Sequence, residues 1–590
     1  MKIIQNFLLF SFFLFVTTNL YAGLGDTEMS PGGWKRNIEV NEIEEIDEEE
    51  KEKEVIDNNN DFKAIELKEI DANTIGTMTT DEGGLSYDMW TGSKRNIIQD
   101  YLKNIPINKQ SDLAIELFKK ILLSNADVPE SDNDSADFLL IRINKLIELG
   151  DFENAKSLID LIPNIDNEEI LVKKTEINLS LNNFDLVCSD VEINRTKYKK
   201  NLFWRKVEIF CQILNGETNK ANLALSLLKE EKGFNDENFL IIIDSLVYKE
   251  EISDESLDDL NLLNLAMTRI ANISIKESYI LKEDPLVLTM IYRMPNAPIK
   301  LRIEAMEKSK KLLNLPTETI EEIYNSYDVK EKDKKISLDD NILLGSETQA
   351  ILFQMAIAED NKEEKARILK KSLELGLING NYKLISKLNL NSLLEIKPSK
   401  NLSWFANHAT KSLLVSNKIE EAMNWYEILK KEKDKDAELF NYFIEIWPII
   451  EFYKFKNKEK EYDNISQNEI LKSINKLQSQ NENFEFNTLG FYVLEILGVE
   501  INPEFWLIKL NNQETESKQM PDTSLISLLK YSSNNKKVGE TILLILMSLD
   551  GKNFNQLHPF FLQIAITSLN QIGLEEKAFD LAFETLIEKN

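Results

Sequence analysis

Apolar residues recur three and four apart through most of this chain and are broken by short polar stretches, a pattern that predicts amphipathic helices joined by tight turns. Ile97, Ile98, Tyr101 and Leu102 mark one helix face, Leu113, Leu117, Ile121 and Leu122 the next, and Pro106 separates them. From Phe138 onward the pattern becomes a repeat. Leu139, Ile143, Leu146, Ile147 and Leu149 form a first helix, Gly150-Asp151 ends it, and Ala155, Leu158 and Ile159 line a second. The turn then returns as Leu181-Asn182-Asn183-Phe184 leading to Val187, and as Leu214-Asn215-Gly216-Glu217 leading to Ala221. The closing small residues stand at 155, 187 and 221, intervals of 32 and 34, the period of stacked helix-turn-helix units.

The turn has a physical logic. Gly150, Asn183 or Gly216 after the first helix accepts a left-handed C-cap, and Asp151 or Glu217 suits the positive end of the next helix. A small residue then lets the two helices approach. Weaker copies precede Ala366, Ala422 and, after Gly573, Ala578; their wide spacing implies units without the motif between them. The expected fold is all-α: an α-solenoid of stacked antiparallel helix pairs that seal one another's apolar sides, giving an extended rod. Trp90, just before the first helix, is expected to cap its open N-terminal edge.

Composition agrees with helices, since Pro is scarce at 13 and Gly at 19 in 590 residues. Lys2, the apolar run Phe7–Val16 and the small residue Ala22 before Gly23 predict a signal peptide over 1–22, cleaved between Ala22 and Gly23; the alternative is an uncleaved anchor. Residues 23–86 read as a disordered acidic tether, including Asp47-Glu48-Glu49-Glu50, or as an acidic motif that folds on a basic partner. Helical repeats follow over 87–327 and 341–590, divided by a charged linker at 328–340. No later stretch is long enough to cross a bilayer, so the exported chain is expected to be soluble and periplasmic, without a transmembrane segment. With 100 acidic and 70 basic residues the net charge is −30, which argues against nucleic acid as a partner and would steer a basic protein toward the surface.

Candidate chemistry is sparse. Cys188 and Cys211 fall at similar distances from a turn near Lys199, so they are either a disulfide across an antiparallel pair or two buried thiols. His408 and His558 are the sole histidines, each in apolar surroundings, and read as core or capping residues. Trp204, Trp404, Trp425, Tyr426 and Trp447 fit core packing better than a binding groove. No phosphate loop, nucleophile elbow or metal-ligand spacing is present, so neither a cofactor nor a metal is expected.

The units around Gly150, Asn183 and Gly216 resemble tetratricopeptide-type repeats, a family whose helix pairs bind proteins or peptides. Trp90-Thr91-Gly92, these repeats, and Trp204-Arg205-Lys206 leading to Phe210-Cys211-Gln212 resemble a group of exported helical-repeat proteins of alphaproteobacteria with no established activity. The resemblance implies a non-enzymatic periplasmic scaffold or adaptor with a protein or peptide partner in the cell envelope. Two alternatives stand beside it. Glu277-Ser278 resembles the Glu-Ser pair of lytic transglycosylases with superhelical domains, although Tyr279-Ile280-Leu281 follows in place of their usual sequence. The other is a structural spacer.

Overall fold

The computed structural model describes residues 71–587 apart from 107–110, 131–137, 164, 232–233, 250–251, 253–256, 278, 280, 311–314, 338–344, 458–464, 481–487 and 512–518. The chain divides into two units, Met1–Lys68 and Glu69–Asn590. The expected signal peptide, its cleavage pair Ala22-Gly23 and the tether up to residue 70 lie outside the described residues.

Among the described residues the second unit is all-helical, with 28 α-helices that pack largely as neighbours in sequence. Phe138–Glu148 pairs with Phe152–Asp160, Glu168–Ser180 with Phe184–Asn194, and Leu202–Leu214 with Thr218–Lys229. Later pairs follow the same plan, as in Ala406–Val415 with Ile419–Glu432 and Pro559–Gln571 with Glu575–Ile587.

The turns explain the repeat. Gly150 takes a φ of 73°, and the next amide, Asp151 N–H, donates back to the Leu146 carbonyl at 2.8 Å. This closure satisfies a helix-end carbonyl and reverses the chain. It recurs at Gly216 (φ 74°), Asn417 (φ 57°) and Gly573 (φ 80°), each with the following amide bonded five residues back at 2.8–2.9 Å. In the second repeat the left-handed residue is Asn182 (φ 62°) rather than Asn183, which stands at the N-cap of the next helix, the place Asp151 and Glu217 hold in their own repeats. The copy before Ala366 is a different turn, because Thr348–Ala358 ends on extended Glu359 and Asn361 caps the following helix through its side chain. Four further turns of the repeat type lie at Asn272 (φ 54°), Gly380 (φ 66°), Gly498 (φ 96°) and Lys536 (φ 59°), filling gaps between the other copies. The closing residues Ala155, Val187, Ala221, Ala366, Ala422 and Ala578 are all buried, where a larger side chain would hold the paired helices apart.

An extended rod is not what forms, because helices near the start of the unit pack on helices near its end. Arg95–Asn104 and Asp112–Leu123 both contact Val538–Leu549, and Asp112–Leu123 also contacts Glu575–Ile587. Val538–Leu549 is buried on nearly every side, as its almost continuous apolar sequence requires. The seam is specific. Gly539 N–H donates to the Met89 carbonyl at 2.9 Å, and the Trp90 ring occupies the space beside Gly539 where a Cβ would lie 2.4 Å from Cζ3. Buried Glu540 accepts from the Ser93 and Ser532 hydroxyls, both at 2.9 Å, and pairs with Lys537 at 3.2 Å. Trp90 therefore does not cap an open edge; it fills the joint between the start of the unit and Val538–Leu549 and meets Phe138 edge-on at 6.0 Å.

Residues 71–86, expected within the disordered tether, are also packed. Thr77 and Met78 amides both donate to the Leu123 carbonyl, at 2.9 and 3.0 Å, and Leu85 N–H donates to Ser124 Oγ at 2.7 Å. Arg142, 3% exposed, braces the same place by donating to Leu122, Ser124 and Asn73 carbonyls at 2.8, 3.4 and 3.2 Å. Within the charged stretch 328–340, Glu331–Ser337 is helical and packs on Thr348–Ala358. Packing crosses this stretch, since Gln354 Nε2 donates to the Tyr324 and Tyr327 carbonyls at 2.6 and 2.8 Å.

Candidate functional site

The three explicit repeat pairs, residues 138–229, form the surface that the sequence singles out. Phe184–Asn194 and Leu202–Leu214 run antiparallel, which brings Cys188 and Cys211 to a Cα separation of 5.5 Å, and the two are joined by a disulfide. The bridge clamps the second pair to the third. For a sequence separation of 23 residues, loop-closure entropy gives a contribution of about 3 kcal/mol. We expect replacement of both cysteines by serine to speed amide exchange in these two helices about 100-fold; unchanged exchange would deny the bridge a stabilising role.

Charged side chains link successive pairs. Lys174 of Glu168–Ser180 reaches Asp160 of the preceding pair at 3.0 Å, and Lys156 joins it at 2.7 Å. Burial pushes the Asp160 carboxyl up, but hydrogen bonds from the two lysines outweigh it and hold the group below the usual carboxylate range. Asp190 shows the opposite balance: burial prevails over Lys174, 4.0 Å away, and its carboxyl is raised. At the third pair Lys206 meets Asp236 at 3.0 Å; there burial is overcome by the Phe239 amide, Lys206 and Asn264, so the carboxyl is lowered.

The second helix of each pair also carries, within it or at its C-cap, an exposed aliphatic residue at one fixed register. Leu161, Ile193 and Leu227 each lie six positions after the buried closing residue, at 155, 187 and 221. They are 51%, 72% and 53% exposed. Six steps of about 100° place them roughly 120° around the helix from the buried side. The sequence holds this signal in plain view, but core and exposed apolar residues look alike until a register tells them apart.

The remaining candidates are structural. His558 caps Pro559–Gln571, its Nδ1 accepting from Phe560 N–H at 3.1 Å. His408 is buried against Phe405 and Tyr442; burial, with Lys411 and Lys370 adding to it, pulls its imidazole down to about 3, so it is neutral at physiological pH. Trp204, Trp425, Tyr426 and Trp447 are core residues, while half-buried Trp404 lies under the Arg367 guanidinium at 5.7 Å. Glu277 is exposed, with Lys300 Nζ 3.8 Å away, and not in a cleft that would desolvate an acid. Among the described residues no three His, Cys, Asp or Glu side chains are grouped to hold a metal ion, and no helix is long and apolar enough to cross a membrane.

Comparison with protein-family models, with curated proteins and with solved structures gives no match to this chain.

Proposed function

We propose that the protein is a non-enzymatic periplasmic scaffold or adaptor that binds another envelope protein through its helical-repeat surface. The observation that carries this reading is the row Leu161, Ile193 and Leu227: three large aliphatic side chains at one register of three successive pairs, each more than half exposed. Exposed apolar side chains in series contribute nothing to the fold and become favourable when a partner covers them. Acidic residues outnumber basic ones 100 to 70, and a net charge of −30 would favour a partner with basic groups around an apolar core. Export is supported by Lys2, the apolar run Phe7–Val16 and the small residue Ala22.

The test is crosslinking in the native cell from a photoreactive residue at position 193, followed by identification of what is captured. With Leu161→Asp and Leu227→Asp introduced together, capture is expected to fall at least about tenfold, because each buried aliphatic side chain is worth about 1.5–3 kcal/mol. The fold should tolerate these changes, since surface substitutions stay within about 0.5 kcal/mol. Undiminished capture, or no stoichiometric partner at all, would count against the reading.

A further inference from the structure

Three arginines meet at one helix end. Arg269 lies in the last turn of Leu262–Ile270, Arg293 is the C-cap of Pro285–Tyr292, and Arg302 lies near the start of Ile299–Lys310. Both outer helices pack on Pro285–Tyr292, which brings the three side chains to the same place. Arg269 Nη1 donates to the Arg293 carbonyl at 2.5 Å, Arg302 Nε to the Tyr292 carbonyl at 3.1 Å, and Arg293 Nε to the Tyr292 hydroxyl at 3.2 Å. Every anchor thus belongs to one of two consecutive residues.

Arginine is uncommon in this chain. Only nine of the 70 basic residues are arginine, and a third of those nine gather here. Elsewhere Arg195, Arg205 and Arg367 each pair with a glutamate, at 2.6, 2.5 and 3.0 Å. Among the described residues no carboxylate comes within 4.0 Å of Arg269, Arg293 or Arg302, although the chain carries 100 acidic residues. Glu322 acts on Arg302 only from beyond that distance.

Capping of the helix end accounts for only part of this arrangement. The terminal carbonyls together present about half a negative charge, against three full positive charges. Each arginine is anchored there through one nitrogen, which leaves most of its five donors unused. The crowding acts on the groups themselves: burial pulls the Arg269 guanidinium below its ordinary range, and Arg293 and Arg302 add to the pull. Burial lowers Arg302 likewise, against Glu322. All three stay charged, since a guanidinium does not give up its proton in a protein. Arg293 is exposed and the other two are half-buried, so the cluster can be reached from solvent.

We propose that Arg269, Arg293 and Arg302 bind the phosphate group of a small molecule. A guanidinium fork pairs with two oxygens of one anion, and three forks in one place suit a phosphate, which has more oxygens to offer than the two of a carboxylate. Its second negative charge also answers more of the cluster than a single carboxylate can. A long polyanion would meet repulsion from the rest of a chain of net charge −30, so the bearer is small. Free phosphate and a phosphate ester share this chemistry. The inference rests on these three side chains and stands or falls separately from the row at 161, 193 and 227.

Calorimetric titration of the full chain with inorganic phosphate, glycerol 3-phosphate and succinate tests this, at one ionic strength held with sodium chloride. Inorganic phosphate or the ester should bind saturably and about tenfold more tightly than succinate or better. Whichever of the two binds the more tightly identifies the source. Arg293→Gln should weaken that ligand by about tenfold or more. Without ligand this variant should keep the melting temperature of the parent, because the exposed side chain gives up a single contact with the Tyr292 hydroxyl. Arg302→Lys keeps a charge and a donor for the Tyr292 carbonyl but loses the fork, so it too should lower affinity. Should phosphate and ester bind no better than succinate, neither bind at that ionic strength, or Arg293→Gln bind as the parent does, the proposal is overturned.

Discussion

Removing the indole of Trp90 by substitution with alanine is expected to cost about 3–5 kcal/mol, the range for emptying a buried aromatic site. The ring is 2% exposed and sits over Gly539 of Val538–Leu549, edge-on to Phe138. Its loss would open a void in the joint where chain segments more than 400 residues apart meet, as the 447-residue separation of the Ser93–Glu540 hydrogen bond records. Gly539→Leu attacks the same joint from the other side, since even a Cβ there falls 2.4 Å from the ring. Chemical denaturation should report the loss, and amide exchange should localise it to Arg95–Asn104 and Val538–Leu549. A cost below about 1 kcal/mol, with exchange unchanged in both helices, would show that the joint adds little.

The second large effect is expected at Arg142. Burial pulls its guanidinium down to about 10, still charged at neutral pH, and three backbone carbonyls receive its donors. Two of them belong to the end of Asp112–Leu123, where a cation is favoured by the exposed helix carbonyls. Arg142→Met keeps an apolar stem but leaves these carbonyls without donors, at about 1–3 kcal/mol each. Allowing for water reaching one of them, the loss is about 3 kcal/mol or more. Residues 71–86 should lose protection first, because Asn73 and Leu122 are tied through this side chain. Arg142→Lys should recover part of the loss, having three donors but no planar fork.

What could be read in the sequence was what neighbours in sequence determine. Ala155, Val187 and Ala221 disclosed the helix pairs because the reversing turn needs a left-handed residue and a small one at fixed offsets. Gly380 could have been found likewise, since Asn379-Gly380-Asn381 repeats the form of Asn215-Gly216-Glu217. Lys536 could not, because lysine gives no sign that it will adopt φ 59°. Residues 71–86 are held by backbone donors and acceptors, which hydropathy does not register. The meeting of helices near the two ends leaves no periodic trace at all; its one local hint is Gly539 in a helix that is apolar over most of its length. Glu584 occupies, six positions after Ala578, the register at which Leu161, Ile193 and Leu227 face solvent. Only the convergence of other helices turns that register inward.

The joint also fixes an order of assembly. Helix pairs such as Phe138–Glu148 with Phe152–Asp160 bury their faces on near neighbours and can form as the chain is made. Arg95–Asn104 and Asp112–Leu123 can do so only in part, against Phe138–Glu148, because the helix that covers the rest of them begins at Val538. The face turned to Val538–Leu549 must wait, exposed, until nearly the whole polypeptide has been delivered. Any interruption of synthesis before that point leaves an apolar face of the earliest helices uncovered, and it is there that a holding chaperone would be needed.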